Sequence, residues 1–182
     1  NEFSDKYFQG LPEILDKKNI GFSYLLRIFK LGENPISFLR ILYILKDDKY
    51  LFDFQIVKFT DLPEMFLQIF FYPFQTLYIL DKNKEFNYHL IRDIKSQSFE
   101  AFSRYFVGNN IAKMNFQKII SWNEFQVIER SFNFGYRTGN GKGEIIGSQL
   151  YIGYKTYFNT YIFKEDFETL SAPHRILVNG KA

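Results

Sequence analysis

Between Gly21 and Phe59 the apolar residues fall into three runs, Phe22–Leu31, Ile36–Lys46 and Tyr50–Phe59, rich in β-branched and aromatic side chains. Gly-Glu-Asn-Pro at 32–35 and Lys-Asp-Asp-Lys at 46–49 separate them as turns. The first two runs are apolar at both parities, as in strands covered on both faces. The third sets Phe52, Phe54 and Ile56 against Asp53 and Gln55, the alternation of a half-exposed strand. The pattern predicts an antiparallel meander. Ahead of it, residues 1–20 read as an arm with one short helix, Pro12 in its first turn and Lys17 and Lys18 at its end.

Thr60-Asp-Leu-Pro-Glu64 is a helix start, with a capping side chain, an early proline and a first-turn acid. That helix is expected to stop at Tyr72-Pro73. A second hairpin follows, Gln75–Leu80 with Phe86–Ile94. A helix over 99–107 is expected next, with Ser98 as its cap, Phe99, Phe102 and Phe106 as its stripe and Gly108 as its stop. Residues 109–121 fit helix or strand. From Trp122 to about Phe163 the pattern reads as strand, with a parity switch near 127–128 taken as a β-bulge. A helical turn is expected around 166–170.

The stretch 134–163 holds six of the eleven glycines and reads as a β-hairpin. Alternation turns Ile146, Leu150, Ile152 and Phe158 inward. Tyr151, Lys155, Tyr157 and Tyr161 then face outward. Its tip, Thr138-Gly-Asn-Gly-Lys-Gly143, is free enough in φ to approach a ligand and, with Arg137 and Lys142, to cradle a phosphate. It is not a P-loop, because no Ser or Thr follows Lys142 and no helix starts there. Phe134-Gly135-Tyr136 and Tyr151-Ile152-Gly153 share letters with the GIY-YIG nuclease signature. That signature needs a helix with an arginine after its second part, and no arginine lies between Arg137 and Arg175. The match carries nothing.

Composition modifies this picture in three ways. The 182 residues suit one domain, 1–182, with 1–20 as an arm and 165–182 as a tail. Aromatics make up 20%, with 23 Phe and 13 Tyr against one Trp; Phe and Tyr have AT-rich codons, so the count alone carries no argument. The net charge of +3 is unevenly placed. Residues 1–99 balance, whereas 101–164 carry Arg104, Lys113, Lys118, Arg130, Arg137, Lys142, Lys155 and Lys164 against Glu124, Glu129 and Glu144.

Other chemistry is sparse. Without cysteine there is no disulfide, thiolate metal site or cysteine nucleophile. His89 and Asp93 lie four apart on a predicted strand, about 13 Å, too far to share a metal. No cluster has ligand spacing, so neither a cofactor nor a metal is expected. Met65–Leu80 is short of a span and interrupted by Pro73, so it reads as core and not as a transmembrane segment. The chain begins at Asn1 and not Met, which leaves an upstream signal or anchor open; the cytoplasm is the default.

The sequence therefore predicts an α+β fold, a single antiparallel β-sheet-rich domain with two or three packed helices. It predicts a nucleic-acid-binding face for a flexible or single-stranded segment, made by Arg130, Arg137, Lys142, Tyr151, Lys155, Tyr157 and Tyr161. Tyrosines would stack on bases and cations meet phosphates. The alternatives are a protein- or glycan-interaction module outside the cytoplasm, and an enzyme whose residues converge only in the fold.

Overall fold

The computed structural model describes residues 8–27, 35–76, 99–149 and 162–178. The chain forms two compact units, Asn1–Ile56 and Val57–Ala182.

The first unit contains α1 (Leu11–Lys17), β1 (Tyr24–Leu26), α2 (Pro35–Ile44), β2 (Tyr50–Phe52) and α3 (Asp53–Ile56). α1 follows its signals, with proline in its first turn and Lys17 in its last. β1 and β2 pair in parallel, Tyr24 opposite Tyr50, with the two rings stacked 5.6 Å apart. The three-stranded antiparallel meander does not form. Its middle run is α2, because Pro35 opens a helix as readily as it closes a turn. An apolar run without strict alternation fits a buried strand and a helix equally well.

In the second unit a 3₁₀ turn (Phe59–Asp61) leads into α4 (Leu62–Thr76). The start of α4 agrees with its signals. Its end does not: the helix continues through Pro73, which forgoes the bond to the Ile69 carbonyl. The predicted hairpin over 75–94 loses Gln75 and Thr76 to α4, and the rest lies outside the described residues. The chain is helical again over 99–111 (α5) and makes a 3₁₀ turn at Ala112–Met114. It then runs through β3 (Lys118–Trp122), α6 (Val127–Thr138), β4 (Glu144–Gln149), α7 (Lys164–Glu168) and β5 (Arg175–Val178).

β3, β4 and β5 lie side by side in that order, all parallel, with Ile119 opposite Ile145 and Gly147 opposite Ile176. The antiparallel sheet is thus overturned. Among the described residues there are seven α-helices and two small sheets, and every strand pair is parallel. The predicted bulge at 127–128 is the first turn of α6. Ile128, Phe132 and Tyr136 recur every four residues, a spacing that keeps one parity in a strand and one face in a helix.

Gly108 does not stop α5, because it is where α6 crosses. A Cβ there would stand 2.2 Å from the Phe132 carbonyl oxygen, and one at Gly135 would stand 2.0 Å from that of Tyr105. Each glycine lets the opposite backbone in, and Ala112 and Gly139 extend the small-residue contact by one turn on each helix. The core around this crossing holds Val107, Ile111, Phe132, Tyr136 and Ile145, each 5% exposed or less.

Candidate functional site

The two ends of the β3-β4-β5 sheet differ in how they are closed. At the amino end the glycine-rich tip joins the C-terminus of α6 to β4. Its glycines serve Tyr136, which is 1% exposed. A Cβ on Gly141 would sit 2.3 Å from the Tyr136 ring, and the Gly143 N–H donates to the Tyr136 hydroxyl at 2.9 Å. The tip therefore cradles a side chain of its own chain. It also lies at the helix end whose partial charge is negative, the wrong sign for a phosphate.

His174 closes the same end. Its Nδ1 accepts the Ile145 N–H at 2.9 Å, while the His174 backbone N–H donates to the Ile145 carbonyl. Burial and then the Arg137 charge hold the imidazole below its ordinary pKa, against a weaker upward pull from Glu144. Arg175 donates to both carboxylate oxygens of Glu144 at 2.8 Å.

At the carboxyl end, β3 passes into α6 through Trp122-Asn-Glu-Phe-Gln126. Asn123 is 1% exposed; its N–H continues the ladder to the Ser148 carbonyl and its Oδ1 accepts the Phe125 N–H. Asn123 Nδ2 is the one buried side-chain donor without a partner among the described residues. Phe125 is buried with φ of 57°, a left-handed conformation that costs an aromatic residue about 1–2 kcal/mol. Glu124 accepts from the Trp122 indole at 2.9 Å and from the Gln126 side chain.

One carboxylate oxygen of Glu129 accepts the N–H groups of Glu124 (2.8 Å) and Gln126 (2.9 Å). Burial pushes its pKa above the ordinary 4.5, although both N–H groups and Arg104 pull the other way. Ser148 and Gln149 end the neighbouring strand, with Ser148 opposite Trp122, and Gln126 and Val127 are exposed. From Val127 a hollow of about 270 Å³ runs along α6, bounded by Arg130, Ser131, Phe134, Thr169 and Ser171.

Of the residues predicted to bind nucleic acid, Arg130, Arg137 and Lys142 are described. Arg130 makes a two-point ion pair with Asp166, Nε to Oδ1 at 2.8 Å and Nη2 to Oδ2 at 3.0 Å. Burial alone would raise the Asp166 pKa. The bonds from Arg130, the Phe163 N–H and Ser171 outweigh it and hold the carboxyl below its ordinary value. Arg137 donates to the Ala172 carbonyl, and Asn133 between them donates to that of Ser171. Arg130 and Arg137 thus share a face of α6 that fastens residues 166–172. Lys142 is exposed at the amino end. Tyr151, Lys155, Tyr157 and Tyr161 lie outside the described residues.

The carboxyl-end residues went unnoticed in the sequence because none belongs to a spaced motif. One signal was present: Glu129, at the third helical position ahead of an i, i+4 apolar series, accepts the Gln126 N–H as the acid of a capping box does, although glutamine is not a capping side chain. No protein-family model matches the chain, and no curated protein or solved structure matches it significantly.

Proposed function

We propose that the second unit binds a small polar molecule at the carboxyl ends of β3 and β4, over the start of α6. The observation that carries this reading is the parallel register of β3, β4 and β5. In open α/β sheets ligands bind outside the carboxyl ends of the strands, where the strand order reverses; β3, β4 and β5 run in chain order, so the rule supplies the end of the sheet and not the position along it. Here the turn leaving β3 carries Glu124 and Gln126, and Trp122 at its start stands opposite Ser148 near the end of β4. The left-handed Phe125 supports the same end, since costly backbone of this kind clusters at functional sites.

Trp122 is the sole tryptophan of the chain, so its emission reports on this crevice alone. Titration with polar metabolites grouped by chemical class is expected to give a saturable change in that emission. Trp122→Phe should remove the signal, and Gln126→Ala should weaken the binding. No response from any class would count against the site. Single-stranded oligonucleotide binding that weakens with salt and leaves Trp122 unchanged would instead move the function to the 130–161 segment.

A further inference from the structure

We propose that the chain forms a two-fold dimer through the exposed apolar face of α4, with a second copy of α4 lying antiparallel along it. From Leu62 to Tyr72 the helix is apolar on two sides. Met65 is buried, and Tyr72 meets the Phe102 ring edge-on at 5.4 Å, which fixes the inward side. On the other side Phe66, Leu67, Phe70 and Phe71 recur at intervals of three and four, with Phe59 just ahead of them. Each of the five is between 49% and 90% exposed. One apolar stripe suffices to hold a surface helix on its core, so the second exceeds what packing within the unit requires.

Size and charge select the occupant. At about 200 Å² for a whole aromatic side chain, the five exposures amount to roughly 600 Å². That is the upper end of the apolar patch a monomer leaves to water, and the lower end of one side of a specific interface. The ionisable residues between Phe59 and Tyr72 are Asp61 and Glu64, both acidic. Anionic lipid and nucleic acid are held through Lys and Arg, so neither fits this face. A second copy does. The stripe is centred between Phe66 and Leu67, and a two-fold axis there sets Phe66 of one copy against Leu67 of the other, and Pro63 against Phe70. Such a contact is isologous and closes at two chains. It also opposes the two helix dipoles. Gln68 donates to Glu64 at 3.1 Å along the edge of the stripe, as in the polar rim of an interface.

The test is the mass of the full chain in solution. An interface of this size predicts a Kd on the order of 1–100 µM, so sedimentation equilibrium is run from about 0.5 µM to about 500 µM. Phe66→Glu sets like charges near the axis and should weaken the dimer at least about tenfold. Mixing it with Phe66→Lys should restore a dimer made of one chain of each kind. Leu67→Glu and Leu67→Lys take their place if either variant fails to fold by circular dichroism. Leu39→Glu changes an apolar residue on α2 that is as exposed as Phe66, and should leave the dimer at wild-type strength. A wild type that stays monomeric overturns the inference. So does a dimer that Phe66→Glu leaves intact or that Leu39→Glu weakens equally, or a monomer that binds vesicles of phosphatidylcholine and phosphatidylserine through Phe66.

Discussion

At the amino end of the β3-β4-β5 sheet the chain places Gly139, Gly141 and Gly143 within five residues, flanked by Arg137 and Lys142. At the carboxyl end it places Trp122, Asn123, Glu124, Phe125 and Gln126, with no glycine at all. The first has the composition of a ligand loop and the second has none. In the fold these appearances are exchanged. The glycines admit the Tyr136 ring and the Phe116 carbonyl, so they are consumed by packing. The featureless turn carries the strained residue, one carboxylate and the exposed glutamine, and Glu129 in the first turn of α6 binds back to it. A glycine-rich loop signals close approach by something, and only the fold shows whether that something belongs to the chain.

The hardest way to break this comparison is to add a methyl group at the amino end. A Cβ on Gly143 would stand 2.0 Å from the Phe116 carbonyl oxygen and 2.8 Å from the Tyr136 hydroxyl. Backbone must move to admit it, at about 3 kcal/mol. For a chain of this length that corresponds to a fall in melting temperature of roughly 6–12 °C. Calorimetry of Gly143→Ala checks it. A variant that melts with wild type would mean that the tip is loose and again available for a ligand.

This contrast also shows how much was legible beforehand. Helix starts with local signals were readable: Pro12 for α1, and Asp61, Pro63 and Glu64 for α4. The helical turn at 166–170 was placed close to α7. Strand pairing was not readable, since parallel and antiparallel partners differ in what connects them, and α6 was mistaken for strand. Ile128, Phe132 and Tyr136 satisfy both periods, and the one token that separates them, Glu129 at the third helical position, is a polar residue outside the apolar pattern. Gly108 misled for a related reason. A helix-stopping glycine and a helix-crossing glycine are identical until the second helix is in place. The candidate site depended on the pairing, so it became visible only with the register.

Acid sharpens the comparison, because the two ends carry titrating groups of opposite sign. His174 has a lowered pKa. Its contribution to stability is complete above its ordinary 6.5 and is lost as pH falls through the lowered value, because protonation takes Nδ1 away from the Ile145 N–H. Glu129 has a raised pKa, so its contribution is complete below its ordinary 4.5 and is lost as pH rises through the raised value. His174→Gln keeps an acceptor oxygen and removes the titration. Melting curves of wild type and variant from about pH 8 to about pH 5 should show wild type losing ground to the variant on acidification. Subtracting the two curves cancels Glu129 and Asp166. A constant gap would mean that His174 does not hold the Ile145 N–H in solution.

The smallest effect on stability tests the other end. Gln126 is exposed, and its side chain reaches only Glu124 among its described partners. Gln126→Ala should change the stability by no more than about 0.5 kcal/mol, as surface substitutions do. The Gln126 backbone N–H still donates to Glu129 in the variant, so the start of α6 is kept. The carboxylate of Glu124, however, loses the amide that helps hold it against Trp122. If the crevice over α6 is the ligand site, an almost silent change in melting should accompany a clear loss in the Trp122 ligand titration. Gly143→Ala should do the reverse once refolded at low temperature, melting early while binding normally. Finding both losses in the same variant would erase the distinction between a structural end and a binding end.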